Sequence, residues 1–188
     1  MKPLLVLAAC ALAMRGRVGS PSEPQEPSPF LAEPAGPVHF MPPGTDVWLV
    51  AKSSRTLEVG TRLRTGKKAS AVIVTGRGSA RLQAEASAKL DTPRAVYVGG
   101  GSARYEGRLG GRFPVASAEP SVPSVFEVTV SSGGDTLVRV SSGTVAVKDN
   151  GGQEHVLTAG SKERWFTASS SRTQPPPEPL EPPAQPLP

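Results

Sequence analysis

The sequence has few residues of the types that most often carry covalent or metal chemistry. It contains one cysteine and two histidines among 188 residues, which excludes a disulfide framework within the chain and a multi-cysteine metal site. His39 lies in a proline-rich stretch, and His155 stands at the start of a strand-like run beside Glu154. The serines fall in Ser-Gly turns, and no G-x-S-x-G motif is present. These absences predict a protein that is not an enzyme and that holds neither a metal nor a cofactor.

Long hydrophobic runs are also lacking. The longest one, residues 4–14, has eleven residues and follows Lys2, whereas a membrane-spanning helix needs about 20. A positive start followed by a short apolar run is typical of an export signal, which we assign to residues 1–19.

The export signal contains Leu7, Ala8, Ala9 and Cys10, a sequence that resembles the lipobox of bacterial lipoproteins. The resemblance implies that Cys10 is lipidated and holds the chain at a membrane. Because Ala11 replaces the aspartate that often marks retention at the inner membrane, it favours the outer membrane. Only nine residues precede Cys10, so two alternatives stay open: an ordinary signal cleaved near residue 13 or 19, and a cysteine that is merely apolar.

Proline is distributed unevenly. It accounts for 8 of the residues 20–43 and for 8 of the residues 174–188. Such segments cannot bury a core of their own. We therefore predict a Pro-rich tether over 20–43, a single folded domain over 44–168 and a disordered Pro-rich tail over 169–188.

Residues 125–160 carry the clearest structural signal. Phe126, Val128 and Val130 alternate with polar residues, which is the pattern of a half-buried strand. Glycine-containing turns separate four such runs. The four predicted strands are 125–131, 136–140, 144–148 and 154–159.

Further strand-like segments precede this stretch. Residues 71–75 and 80–84 predict a hairpin around the turn 76–79, and the glycines at 99–101 predict a turn between 94–98 and 102–106. The alanine-rich residues 82–90 are compatible with strand or with one or two helical turns. Other predicted strands are 47–51, 56–59 and 112–115. With about ten strands, we expect an all-β domain: a single antiparallel β-sandwich or a flattened β-coil.

The stretch 125–160 resembles the C-terminal half of the FecR domain, an all-β extracytoplasmic module. Phe126, Val128 and Gly160 are among the residues that fit its pattern, and residues 59–66 and 107–115 resemble earlier parts of it. The usual Gly-Thr before the phenylalanine is replaced by Ser124-Val125, which is a departure. The resemblance implies protein interaction in envelope signalling. We expect neither the cytoplasmic anti-sigma segment nor the transmembrane helix of typical members.

Positive charge is concentrated in one half of the predicted domain. Residues 52–112 contain 13 Lys or Arg and 4 Asp or Glu, whereas residues 113–173 contain 5 and 6. This asymmetry predicts a basic side that favours anionic envelope surfaces, with Arg104, Arg108 and Arg112 as candidate interaction residues. The alternative is that these side chains only protect strand edges from pairing. No nucleic-acid motif is present, so we expect no nucleic-acid partner.

Trp165 and Phe166 form an adjacent aromatic pair after the last predicted strand. A continuing strand would turn one ring inward and the other outward. We favour a role in capping the core, and keep an interaction site as the alternative.

The sequence therefore predicts an exported, non-enzymatic FecR-like interaction module, lipid-anchored at the periplasmic face of a bacterial membrane. Its expected partner is an envelope protein, which it would serve as a sensor, adaptor or scaffold. The alternative function is binding of cell-wall glycan or another anionic envelope polymer, although an aromatic content of 5% shows little sign of a sugar-stacking surface. A structural element of a surface assembly and a diverged enzyme rank below these two.

Overall fold

The computed structural model describes residues 27–167 as an all-β protein. Within this range every regular element is a strand. The sixteen strands are β1 (Phe30–Ala35), β2 (Val38–Met41), β3 (Leu49–Val50), β4 (Arg55–Thr56), β5 (Arg62–Thr65), β6 (Ser70–Thr75), β7 (Gly78–Leu82), β8 (Ser87–Thr92), β9 (Ala95–Gly107), β10 (Gly110–Arg112), β11 (Ala116–Pro120), β12 (Ser124–Val130), β13 (Thr136–Ser142), β14 (Thr144–Asp149), β15 (Glu154–Thr158) and β16 (Lys162–Trp165).

The strands form two sheets that share β9. Sheet A has the order β4-β1-β6-β7-β9-β12-β13-β16, and sheet B has the order β3-β2-β5-β8-β9-β10-β11-β14-β15. The chain passes repeatedly from one sheet to the other, and one cluster of buried residues draws on both. The expected all-β fold is confirmed. The expectation of antiparallel pairing needs one correction, because β9 and β10 are parallel.

Strand β9 joins the two sheets at a glycine bend. Its first part pairs with β8 and β10 in sheet B, and its last part pairs with β7 and β12 in sheet A. Gly99, Gly100 and Gly101 lie between these parts, and Gly101 has a φ of +79°. The predicted turn at 99–101 is therefore wrong: the glycines let a single 13-residue strand change sheets.

The core lies between the inward faces of the two sheets. Tyr105 of sheet A stacks on Phe126, with ring centroids 4.7 Å apart, and meets the edge of Phe113 at 6.3 Å. Its hydroxyl donates a hydrogen bond of 3.0 Å to the carbonyl of Val96 in the sheet B part of β9. Small side chains such as Ala103, which is also buried, allow the layers to approach closely.

The four strands predicted over 125–160 are confirmed as β12 to β15. Their alternating side chains are buried, as the period of two requires; Phe126, Val128 and Val130 are examples. The predicted hairpin around residues 76–79 is also confirmed as β6 and β7. The ambiguous stretch 82–90 resolves into the end of β7 and most of β8.

The predicted tether over 20–43 is wrong from Phe30 onwards, because β1 and β2 belong to the fold. Leu31 and Val38 are completely buried in the core. Pro34 is tolerated because it lies in a bulge, where the register with β6 shifts between Ala32 and Ala35. The folded domain thus begins well before residue 44. The signal with Cys10, the first part of the tether and the tail over 169–188 lie outside the described residues.

Candidate functional site

A row of mostly basic residues crosses the outer face of sheet B. The row consists of Arg62, Lys89, Tyr97, Arg112, Ser117 and Lys148, on β5, β8, β9, β10, β11 and β14. Each member is the register partner of the next, and directly paired residues point to the same face. Chain neighbours such as Leu63 and Val96 are buried, which places the row outside. At ~4.8 Å per strand, this basic row is about 24 Å long.

A cavity of about 300 Å³ opens beside Arg112, near the start of β9. Its lining includes Arg77, Arg94, Arg108 and Arg112, and we call it the arginine cavity. Main-chain hydrogen bonds connect the segments that carry these side chains. The N–H of Arg108 donates to the carbonyl of Arg77 at 2.7 Å, and the N–H of Gly110 donates to the carbonyl of Arg94 at 2.9 Å.

The arginine cavity has an excess of positive charge. Among the described residues that line it, four are arginines and one, Glu119, is acidic. Asp91 lies beside it, with Oδ2 2.7 Å from Nη1 of Arg112 and Oδ1 3.6 Å from Nζ of Lys89. This carboxylate orients two members of the basic row. Concave cationic surfaces of this kind attract anions, and guanidinium groups bind carboxylates and phosphates through paired hydrogen bonds.

A second cavity of about 300 Å³ lies further along the basic row. We call it the aromatic cavity because Trp48 and Tyr97 line it, together with Arg62 and Lys89. The guanidinium carbon of Arg64 lies 4.3 Å from the centre of the Trp48 ring, which fixes this side chain of the β2–β3 connection. Tyr97 pairs with Lys89 on one side and with Arg112 on the other. The two cavities therefore share one face of the molecule.

The outer face of sheet A carries charges that largely compensate one another. Arg81 lies 3.4 Å from Glu33, and Arg104 lies 3.1 Å from Glu106. The register also places Glu127 between Arg104 and Arg139. Positive charge on this face is thus interrupted by carboxylates. The basic row also has acidic neighbours, since Asp91 pairs with Lys89 and Arg112, and Glu154 is the register partner of Lys148.

The structure separates the candidate arginines that the sequence grouped together. Arg108 and Arg112 both line the arginine cavity on the sheet B side. Arg104 lies on the outer face of sheet A, where it pairs with Glu106. The candidate residues Arg104 and Arg112 therefore cannot belong to one patch.

The aromatic pair points in two directions, as expected for a continuing strand. Trp165 is only 8% exposed and belongs to the core cluster, whereas Phe166 is 58% exposed. The ring of His155 meets Trp165 edge-on at 5.7 Å, and its Nδ1 lies 3.0 Å from Oε1 of Glu163. These contacts join β15 of sheet B to β16 of sheet A. They lie away from both cavities, on β15 and β16.

Sequence reasoning missed the aromatic cavity. It also missed two residues of the arginine cavity, Arg77 and Arg94. Trp48 and Tyr97 are far apart in the chain, and only the fold of β2 to β9 brings them together. Arg77 lies within the predicted turn 76–79 and Arg94 begins the predicted strand 94–98, so nothing local distinguished them from solvated surface residues. The available signal was the alternation of cations with apolar residues in β5 and β8, which places Arg62 and Lys89 on one face.

Within residues 27–167 no group of three or more His, Cys, Asp or Glu side chains is arranged to hold a metal ion. In the same part of the chain, no helix has the length and hydropathy needed to cross a membrane.

No family model, curated protein or solved structure matches this chain. The resemblance to the FecR domain therefore stays a prediction from the sequence.

Proposed function

We propose that this chain is an exported, non-enzymatic, FecR-like interaction module that acts as a sensor, adaptor or scaffold in the cell envelope. It is lipid-anchored at Cys10 on the periplasmic face of a bacterial membrane, with the outer membrane favoured. It holds its partner through an anionic group bound on the outer face of sheet B. The FecR-like part is supported by the sequence resemblance and by the all-β fold of residues 27–167.

One observation carries this proposal. The arginine cavity gathers four arginines from the β6–β7, β8–β9 and β9–β10 connections and from β10 into one concave site. A concave surface lined by several guanidinium groups attracts anions and can bind carboxylates or phosphates through paired hydrogen bonds. A ligand with a carboxylate or phosphate group is therefore the kind that the guanidinium-rich lining of this cavity favours.

Site-specific photocrosslinking in living cells tests the proposal. A photoreactive residue replaces Ser117, which belongs to the basic row. The matched control replaces Thr129, which lies on the outer face of sheet A. We expect one envelope component to crosslink at position 117 and not at 129. Equal crosslinking at both positions, or none at 117, would contradict the proposal.

A second candidate function is binding of cell-wall glycan or another anionic envelope polymer. The aromatic cavity favours it, because Trp48 and Tyr97 supply ring surfaces beside the cations of the basic row. In the crosslinking experiment, the product at position 117 would then carry wall fragments in place of a protein.

A further inference from the structure

We infer that the aromatic cavity is a subsite for one sugar ring of an acidic polysaccharide whose chain runs along the basic row. The inference rests on the second candidate function, binding of an anionic envelope polymer, since it names the chemistry of that polymer. The bound unit is a hexose that bears a carboxylate. Its ring contacts Trp48 and Tyr97, and its carboxylate pairs with Arg62 or Lys89.

The composition of the cavity supports a ring that is both apolar and charged. Its lining is mainly apolar and aromatic, with a few convergent polar groups, as ligand sites usually are. Both cations, Arg62 and Lys89, are register partners, so they approach the ligand from neighbouring strands. None of the described lining residues is acidic. Lys89 also lies 3.6 Å from Asp91, so Arg62 is the better placed of the two cations to pair with a carboxylate. A simple inorganic anion would make no use of the aromatic surface.

The two rings are held in position before any ligand binds. Arg64 packs over Trp48, and the turn at Pro42, closed by a 3.0 Å hydrogen bond from Thr45, leads the chain towards it. Tyr97 leans over Gly99: a Cβ at residue 99 would lie only 3.0 Å from Cε1 of Tyr97. Fixed aromatic side chains bind a ligand at a lower cost in conformational entropy.

The surroundings favour a polymer over a single sugar. A shallow groove lined by Pro42, Pro43 and Asp46 also includes Arg62 and Lys89, so it adjoins the aromatic cavity. On the other side, Tyr97 pairs with Arg112 of the arginine cavity. The three concave sites thus follow one line across sheet B. A linear chain with repeated carboxylates can occupy all of them at once.

Three probes separate the contributions of sugar and charge. Polygalacturonate offers a hexose ring and a carboxylate, its methyl ester offers the ring without the charge, and polyphosphate offers the charge without the ring. We expect the full chain to bind polygalacturonate more tightly than either of the other two. Trp48→Leu should lower the affinity for polygalacturonate about tenfold, the equivalent of one lost stacking contact. Its affinity for polyphosphate should stay within about twofold.

Intrinsic fluorescence gives an independent readout. The chain has two tryptophans, and Trp165 is buried in the core. Polygalacturonate should change the emission of the wild-type chain and leave that of Trp48→Leu unchanged. Should Trp48→Leu lose the fold by circular dichroism, Tyr97→Leu replaces it in the affinity measurements with the same expectations.

The outcomes distinguish this inference from the proposed function. Equal affinity for polygalacturonate and polyphosphate, with no effect of Trp48→Leu on either, overturns the sugar subsite and leaves binding of an anionic partner standing. Equal losses on both probes also overturn the subsite, because the ring then contributes nothing specific to sugar. Failure of both probes to bind at low salt overturns the inference together with the anionic binding surface.

Discussion

At the scale of single residues, Tyr105 is a core side chain whose hydroxyl needs a hydrogen-bond partner inside the protein. It is completely buried, and its hydroxyl donates to the carbonyl of Val96 across the space between the sheets. Burial raises the pKa of the Tyr105 phenol far above its ordinary value, because the charged form loses its hydration. The side chain therefore stays protonated as long as the domain is folded.

We expect Tyr105→Phe to lower the free energy of unfolding by about 1 kcal/mol at neutral pH, because the hydrogen bond is lost while the ring contacts with Phe126 remain. At alkaline pH the order should reverse, and Tyr105→Phe should have the larger free energy of unfolding. With a raised pKa in the folded state, the stability contributed by Tyr105 is complete below the unfolded pKa of ~10 and is lost as pH rises above it. Urea unfolding at pH 8 and pH 11 checks this. An identical pH dependence of the two proteins would contradict it.

The residue scale also shows what sequence reasoning cannot find. The alternation around Phe126 predicted its burial correctly, because period two is a local property. The neighbours of Tyr105 are not local: Val96 lies in the same strand beyond the glycine bend, and Phe113 follows β10. Such contacts depend on how β9 changes sheets.

At the scale of elements, the strands with regular alternation were predictable and those with proline or glycine were not. β12 to β15 follow the predicted bounds closely. β1 was hidden by its Pro34, which in most strands would remove a ladder hydrogen bond. The bulge in β1 makes the proline tolerable, and a bulge has no signature in one sequence. β9 was divided in two because glycine clusters mark turns more often than bends within a strand.

The bend in β9 supports a test with a matched control. Gly101 has a φ of +79°, and a Cβ there would lie 2.6 Å from Cα of Ala86 and 2.8 Å from the carbonyl oxygen of Glu85. Gly101→Ala should therefore lower the free energy of unfolding by about 2–4 kcal/mol. Gly100→Ala should cost less than ~1 kcal/mol, since its Cβ meets only the hydroxyl of Ser87, at 3.3 Å. Thermal and urea unfolding measure both. Equal effects would mean that β9 does not bend at Gly101.

At the scale of the whole molecule, charge asymmetry along the sequence becomes asymmetry between two faces. Counting charges over 52–112 predicted a basic side. The candidate residues chosen from it included Arg108 and Arg112 of the arginine cavity but not Arg77 and Arg94. Arg104 and Arg112 lie close in sequence, yet they belong to opposite sheets because β9 ends in sheet A and β10 lies in sheet B. The basic row could be identified only from the register of six strands.

The most direct measurement compares two double variants that lose the same charge from opposite faces. Arg94→Gln with Arg108→Gln removes two cations from the arginine cavity. Arg81→Gln with Arg139→Gln removes two from the outer face of sheet A. Affinity for polygalacturonate is measured for the wild-type chain and both variants over a range of salt concentrations.

We predict that the cavity variant binds about tenfold more weakly than wild type and shows a shallower salt dependence, because fewer charges engage the polyanion. The sheet A variant should bind within about twofold of wild type. Equal losses in the two variants would show that only net charge matters. That result would contradict the central claim that the outer face of sheet B is the binding surface.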